Sequence, residues 1–259
     1  MNNKKRLDLM LIKKGFFNSR SKAQAAVICG EVSVNGQIVN KCSHLVEDED
    51  RIDIIDKKPK YVGRGGEKLE GAIKKFNLNV KGKIAMDIGA STGGFTECLI
   101  KNGARLVFAV DVGHSQLSES LKNSTKIINL EKVNARYLTK KRMKNILEEK
   151  GYSKEIIDFS ENINFAVIDV SFISILKIIP ALLNLILPES QIVALIKPQF
   201  EAGKGIAEKG VIKDKKVIDK IIQRIRKDIE SMGLKIKGIT PSPVLGAKGN
   251  QEYLVYMVR

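Results

Sequence analysis

Histidine, cysteine and aromatic residues are scarce in this chain, and each scarcity closes a class of function. Two His and three Cys stand among 259 residues. Cys29, Cys42 and Cys98 form no C-x-x-C pair, so the ligand spacing of a zinc site is missing and no metal is expected. A sparse, odd set of thiols fits a reducing compartment better than a disulfide framework, and a cytoplasmic location is expected. Trp is absent and aromatics make up 5% of the residues. No long basic amphipathic helix carries aromatic anchors for a membrane surface. No apolar core follows the polar start Met1–Arg6, so no export signal is expected. The most apolar segment, Ile173–Leu187, is interrupted by Lys177 and Pro180 and is shorter than the roughly 20 residues that cross a bilayer. It reads as a buried helix. No internal repeat is evident, and no membrane and no stable protein partner are expected.

What the chain has in excess is positive charge. The formal net charge is +16. Hydrophobic residues, at 43%, suffice for one large domain or a medium one with a small companion. Such a charge suits a polyanionic partner.

The most informative stretch is Asp87-Ile88-Gly89-Ala90-Ser91-Thr92-Gly93-Gly94-Phe95-Thr96, between strand-like Lys83–Met86 and helix-like Glu97–Lys101. A Gly-rich strand-to-helix turn lets the backbone approach a ligand closely. Gly89, Gly93 and Gly94 do not make the G-x-G-x-x-G of a dinucleotide site. The turn opens with an acid, Asp87, which repels a pyrophosphate and suits a cationic amino-acid ligand. That favours S-adenosylmethionine over NAD. The next strand, Leu106–Val110, ends in Asp111, where a ribose hydroxyl pair is usually gripped. The competing reading is an ordinary Gly-rich turn of an α/β protein.

Two parts follow from the periodicity. Residues 1–58 carry two short helices and short strands: Leu7, Met10 and Leu11 share a helical face, Lys22–Cys29 forms a second helix, and Val32–Val34 turns through Asn35-Gly36 into Gln37–Val39. A last strand is expected at Arg51–Ile55. The segments Arg6-Leu7-Asp8, Ser19-Arg20-Ser21-Lys22-Ala23 and Gly30–Gly36 resemble the S4 RNA-binding domain. The resemblance implies that Arg6, Arg20, Ser21, Lys22 and Gln24 face structured RNA, with salt-sensitive contacts. Residues 59–66 read as a basic linker, continuing Lys57-Lys58 and including Arg64, which joins the RNA-facing set, and the loop Gly63–Gly66. From 67 to 259, with a first helix at about Glu67–Phe76, short apolar strands alternate with helices. That pattern predicts an α/β fold with a doubly wound, mostly parallel sheet, whose final strand, Tyr253–Val258, can run antiparallel.

The later strand ends carry ionisable groups. Phe165–Ile168 leads into Asp169, Ile192–Ile196 into Lys197-Pro198, and Glu252 opens the last strand; Lys68 stands near the start of this part. Carboxyl ends of strands are where open α/β sheets place ligands. Each charge alone also fits a plain surface position at an element boundary. As a set, Lys68, Asp169, Lys197 and Glu252 resemble the K-D-K-E tetrad of FtsJ-type RNA ribose 2′-O-methyltransferases. With the S4-like part in front, and with Gly63–Leu69, Ile168–Ser174, Ile196–Glu201 and Gly249–Tyr253 also matching, the chain resembles the TlyA, or hemolysin A, family. The resemblance implies a Rossmann-like methyltransferase domain, S-adenosylmethionine as cofactor, ribosomal RNA or ribosomal subunits as partner, and methylation of a cytidine 2′-hydroxyl. It also implies that Asn134 touches the adenine; a plain turn Asn is the alternative. His114 reads as an exposed loop residue.

A ribose 2′-hydroxyl is a poor nucleophile and must lose its proton as it attacks. Lys197 can accept that proton if neutral, or stabilise the developing alkoxide if charged. Sequence alone leaves both open. Two other readings compete: a non-catalytic RNA-binding protein of ribosome assembly that keeps the fold, and a membrane-active haemolysin, against which the missing span and export signal argue.

Overall fold

The computed structural model describes residues 4–55, 59–203 and 210–259. The chain divides into two compact units, Met1–Pro59 and Lys60–Arg259. The expected Lys57-Lys58 segment lies outside the described residues.

The first unit runs β1 (Lys5–Arg6), α1 (Leu7–Lys13), α2 (Arg20–Ile28), β2 (Val32–Val34), β3 (Gln37–Ile38), β4 (Leu45–Val46) and β5 (Ile52–Ile54). Leu7, Met10 and Leu11 are fully buried with Ala23, Val27 and Val32, which closes one small core. The Ser19 hydroxyl caps α2 by accepting from the Lys22 N–H. β2 is the centre of an antiparallel sheet, β3-β2-β5. A further antiparallel pair, β1 with β4, was not expected; two residues a side carry no readable periodicity.

The second unit contains α3 (Gly65–Phe76), β6 (Ile84–Ile88), α4 (Gly94–Lys101), β7 (Leu106–Val110), α5 (Glu119–Lys122), β8 (Ile127–Leu130), α6 (Lys140–Glu149) and α7 (Lys154–Ser160). It continues through β9 (Phe165–Ile168), α8 (Ile179–Leu183), β10 (Gln191–Ile196), α9 (Pro198–Glu201), α10 (Lys215–Ser231), β11 (Lys235–Pro241) and β12 (Tyr253–Val258). A seven-stranded sheet has the order β11-β12-β10-β9-β6-β7-β8. β12 runs antiparallel to both neighbours, and the other pairs are parallel. This is the expected doubly wound α/β architecture.

Alternation along the strands feeds two cores. Met86, Ile88, Phe108, Val110, Ile168 and Ala194 pack with Met143 and Leu147 of α6 and with Ile218, Ile221, Ile225 and Ile229 of α10. Ala85, Val107, Val167 and Val193 face the other way, onto Leu69 and Ile73 of α3 and Cys98 and Leu99 of α4. Strands apolar on both faces are what a parallel sheet covered by helices requires. The order of strands reverses between β6 and β9, so the crevice over their carboxyl ends is the topological switch point.

Three expectations are corrected. The helix placed at Glu67–Phe76 begins at Gly65, so the loop Gly63–Gly66 is half helix. A Gly pair reads as a loop, yet here Gly66 is required by packing: a Cβ there would meet the Tyr61 ring at 2.1 Å. The strand expected to end at Met86 continues through Asp87 to Ile88. The single buried helix over Ile173–Leu187 is instead a short 3₁₀ turn, Ile175–Lys177, followed by α8. Pro180 in the first turn of α8 lacks the N–H that a continuous helix would need.

Candidate active site

β6 and β9 deliver the two halves of the site. The Asp169 N–H donates to the Ile88 carbonyl, 2.9 Å away, which locks the two strand ends together. Immediately beyond, Gly89 has φ 85, and a Cβ on it would lie 2.4 Å from the Asp169 carbonyl oxygen. Only glycine lets the loop pass this close to β9. The loop 89–94 then enters α4.

Two cavities open there. One, of about 450 Å³, is lined among others by Gly89, Ser91, Asp111, Gln116, Asn134 and Phe172. The second, of about 190 Å³, is lined among others by Arg64, Ala90, Thr92, Gly94, Phe95 and Lys197. Gly89, Ser91, Asp169 and Ser171 belong to both. They form the seam along which a group could pass from one cavity to the other.

The larger cavity has the features of a nucleoside site. Asp111, at the end of β7, accepts from the Ser91 N–H at 2.8 Å and from the Gly113 N–H at 2.7 Å, so its carboxylate is fixed at the rim. Asn134 also lines this cavity, its Oδ1 accepting from the Arg136 N–H. That bond is an Asx turn, and Asn134 thus has both the plain turn role and the cavity position. Gln116, not expected, also lines this cavity. Its loop is held by Glu131, which accepts from the Ser115, Gln116 and Leu117 N–H groups; those bonds hold its carboxyl at about 2 despite burial. His114 is exposed, as expected.

Asp87 is the fourth residue of β6 rather than the first of the loop. It lies on the α4 face of the sheet, fully buried, and lines neither cavity. Oδ2 accepts from the Thr96 hydroxyl at 2.6 Å, while Oδ1 has no hydrogen-bond partner. Burial, and the negative charges of Asp169 and Asp111, push its carboxyl up to about 7, against the Thr96 hydrogen bond. Gly93 is likewise a packing residue, since a Cβ would meet Leu117 and Leu121. Three carboxylates at adjacent strand ends, two of them (Asp87 and Asp169) with a buried oxygen that has no hydrogen-bond partner, suit a cationic ligand. The site therefore fits S-adenosylmethionine, whose ammonium and sulfonium are positive.

The four tetrad residues appear as two ion pairs. Lys197 Nζ stands 2.6 Å from Asp169 Oδ1 and donates to Ser171 Oγ at 2.9 Å. Lys68, in the first turn of α3, pairs with Glu252 at 2.5 Å, and both are buried. Gln199, two residues beyond Lys197, donates to the other Glu252 oxygen at 3.5 Å. Lys197 and Asp169 line the smaller cavity, whereas Lys68 and Glu252 line neither. Among the described residues no cluster of His, Cys, Asp and Glu suits a metal ion.

In the first unit, the RNA-facing candidates are organised by one acid. Asp8 is fully buried and accepts from Arg6, Arg20 and Gln24, with Arg20 Nε at 3.1 Å and Gln24 Nε2 at 2.8 Å. The Arg6 hydrogen bond chiefly holds its carboxyl far below the usual range. Arg6 and Arg20 remain half exposed, and Ser21 and Lys22 lie on the same helix exposed.

A doubly wound sheet with a glycine cradle, a fixed acid after the second strand and paired lysines over the switch point is the framework of a Rossmann-like methyltransferase. The model of the FtsJ-like methyltransferase family matches residues 61–259, and that of the S4 domain residues 5–52. "Hemolysin A" of Brachyspira hyodysenteriae is 42% identical over 98% of this chain and 99% of its own length. The 16S/23S rRNA (cytidine-2′-O)-methyltransferase TlyA of Mycobacterium tuberculosis is 34% identical over 97% of this chain and 89% of its own. A solved hemolysin-type structure from Streptococcus thermophilus, 37% identical, superposes with a TM-score of 0.72 over 100% of this chain and 90% of that one. The chain belongs to the FtsJ-like methyltransferase family and carries an S4 domain at its amino-terminal side.

Proposed function

We propose that this protein is an S-adenosylmethionine-dependent methyltransferase that modifies a cytidine ribose 2′-hydroxyl of ribosomal RNA in the cytoplasm. The observation that carries the reading is the seam of Gly89, Ser91, Asp169 and Ser171 between a nucleoside-type cavity and a cavity holding Lys197. The named activity of the 34%-identical TlyA relative supports the substrate.

When bound, the cofactor supplies an electrophilic methyl group on a sulfonium. In this reading Asp111 and Asn134 would hold its nucleoside, and the loop 89–94 would give it backbone at close approach. Lys197, held against Asp169 and Ser171, presents its ammonium to the smaller cavity, where a 2′-hydroxyl would enter. In that pairing its role is to stabilise the oxygen as negative charge develops. To act as a base it must first release a proton. The Lys68–Glu252 pair, buried behind, contacts Gln199 and so supports the turn that carries Lys197. Most of the acceleration comes from aligning hydroxyl and methyl. Arg64, at the cavity mouth, and the Asp8-organised cations Arg6 and Arg20, with Ser21, Lys22 and Gln24, hold the RNA backbone. The reading assigns residues 1–58 to an S4-type RNA-binding part, 59–66 to a basic connection and 67–259 to the catalytic part; α3 already begins within that connection, at Gly65.

Mass-spectrometric mapping of 2′-O-methyl nucleotides in ribosomal RNA from strains with and without the gene tests the reading. One or more methylated cytidines should disappear with the gene and return when purified protein and cofactor are added. Identical maps from both strains would sink it.

A further inference from the structure

The two serines of Ser171-Phe172-Ile173-Ser174 have different duties. The Ser174 hydroxyl accepts from the Leu176 N–H and starts the 3₁₀ turn. Ser171 does no such work. It is exposed, lines both cavities, and its hydroxyl accepts from Lys197 Nζ at 2.9 Å.

The backbone next to it is costly. Phe172 has φ 63, a left-handed conformation disfavoured for a bulky residue, and its ring is 89% exposed, so the core gains little from it. Such outliers persist where surrounding contacts over-determine them, and they concentrate at functional sites. Here the contact is with Phe200, ring centroids 4.9 Å apart, in the turn that follows Lys197. The strained turn thus ties the loop after β9 to the loop after β10, and Ser171 is the residue it aims at Lys197.

From this we infer that Ser171 is a positioning residue of the methyl-transfer site, its hydroxyl fixing the Lys197 ammonium at the seam between the two cavities. The inference rests on the proposed methyl transfer to a ribose hydroxyl. An ammonium on a four-carbon stem has three donor directions and wide rotamer freedom. Ser171 takes one direction as a hydrogen-bond acceptor, while Asp169 Oδ1, 2.6 Å away, supplies opposite charge without hydrogen-bond geometry. These two contacts from one loop hold the ammonium and leave it a donor direction for the incoming 2′-hydroxyl. Asp169 alone supplies charge but not aim, because a single ion pair lets the stem pivot about it.

The experiment is steady-state methyl transfer to ribosomal subunits from a strain lacking the gene, with the full chain and with Ser171→Ala and Ser171→Thr. Cofactor affinity is measured separately by calorimetry. Ser171→Ala should lower kcat about 10- to 100-fold, the scale of a misplacement near 1 Å. KM for the subunits and the cofactor Kd should stay within about twofold, since the residue acts by aim and not by binding. Ser171→Thr, which keeps the hydroxyl, should recover most of kcat. A wild-type kcat in Ser171→Ala overturns the inference, as does a loss confined to Kd or KM, or a Thr variant as slow as Ala while still binding cofactor. If the unaltered protein transfers no methyl group, the functional reading fails and this inference with it; if only the Ser171 result is negative, the functional reading stands.

Discussion

Lys197 and Asp87 show how single residues at the same sheet edge serve opposite ends. Lys197 reaches the cavity and is held by Asp169 and Ser171. Lys197→Ala should remove turnover while leaving cofactor and RNA binding near normal, read by calorimetry and filter binding beside the methylation assay. Lys197→Arg is sharper, because Arg keeps the charge and cannot act as a base. Substantial remaining activity is the expected result for the electrostatic role; a binding-competent but inactive Arg variant would favour proton abstraction. Asp87 is buried instead, and its carboxyl is pushed from an ordinary 3.8 up to about 7. The folded chain therefore binds this proton more tightly than the unfolded chain. Its contribution to stability is fully present below about pH 4 and is lost as pH rises through about 7. Asp87→Asn should accordingly raise stability at pH 8 by up to ~4 kcal/mol and leave it little changed below pH 4, while weakening cofactor binding. Chemical denaturation at both pH values checks the first part; a less stable variant at pH 8 refutes it.

At the scale of elements, the site depends on loops that are tied to one another. Glu201, at the end of α9, is buried, and its Oε1 accepts from the Ile175 N–H at 2.9 Å. Its backbone carbonyl accepts from Arg224 of α10. One residue thereby joins the turn after Lys197 to the loop after Asp169 and to a long helix. Burial raises its carboxyl above the usual range, against the Ile175 and Ser174 hydrogen bonds. Glu201→Ala leaves the Ile175 N–H buried and unpaired, which costs ~1–3 kcal/mol. It should also lower kcat more than it raises the cofactor Kd, because it loosens Lys197 relative to Asp169. Glu201→Gln keeps an acceptor and should lie between the two. Equal kcat for the Ala variant and the parent would remove the clasp from the account.

For the whole molecule, the prediction concerns the division of labour between units. The proposed RNA role of the first unit rests on the half-exposed Arg6 and Arg20 around Asp8 and on the S4 match, not on bulk charge, most of which lies in the second unit. Removing Met1–Pro59 should leave cofactor affinity unchanged and strip most RNA affinity. The dependence of the remaining affinity on salt should become shallower, since fewer phosphates are neutralised. A truncated protein that methylates ribosomal RNA at the full rate would show the assignment to be wrong. No described helix is long and apolar enough to cross a membrane.

Much of this was legible in order along the chain. Apolar runs of four to five residues ending in Asp111, Asp169 and Lys197 set the strands and their ligand-bearing ends, because burial on both faces demands continuous apolarity. The glycine loop was legible because close backbone approach needs that residue type. Direction of a side chain was not. Asp87 reads as the first acid of the loop, but the strand runs two residues further than expected and holds it on the α4 face. The tetrad resolves into Lys197–Asp169 and Lys68–Glu252, partners 28 and 184 positions apart, and Ser171 is separated from Ser174 in function only by where each hydroxyl lands. Periodicity reports which face of an element is apolar; pairing between distant polar atoms is decided by strand order and by how closely loops pass, and those exist only once the chain has folded.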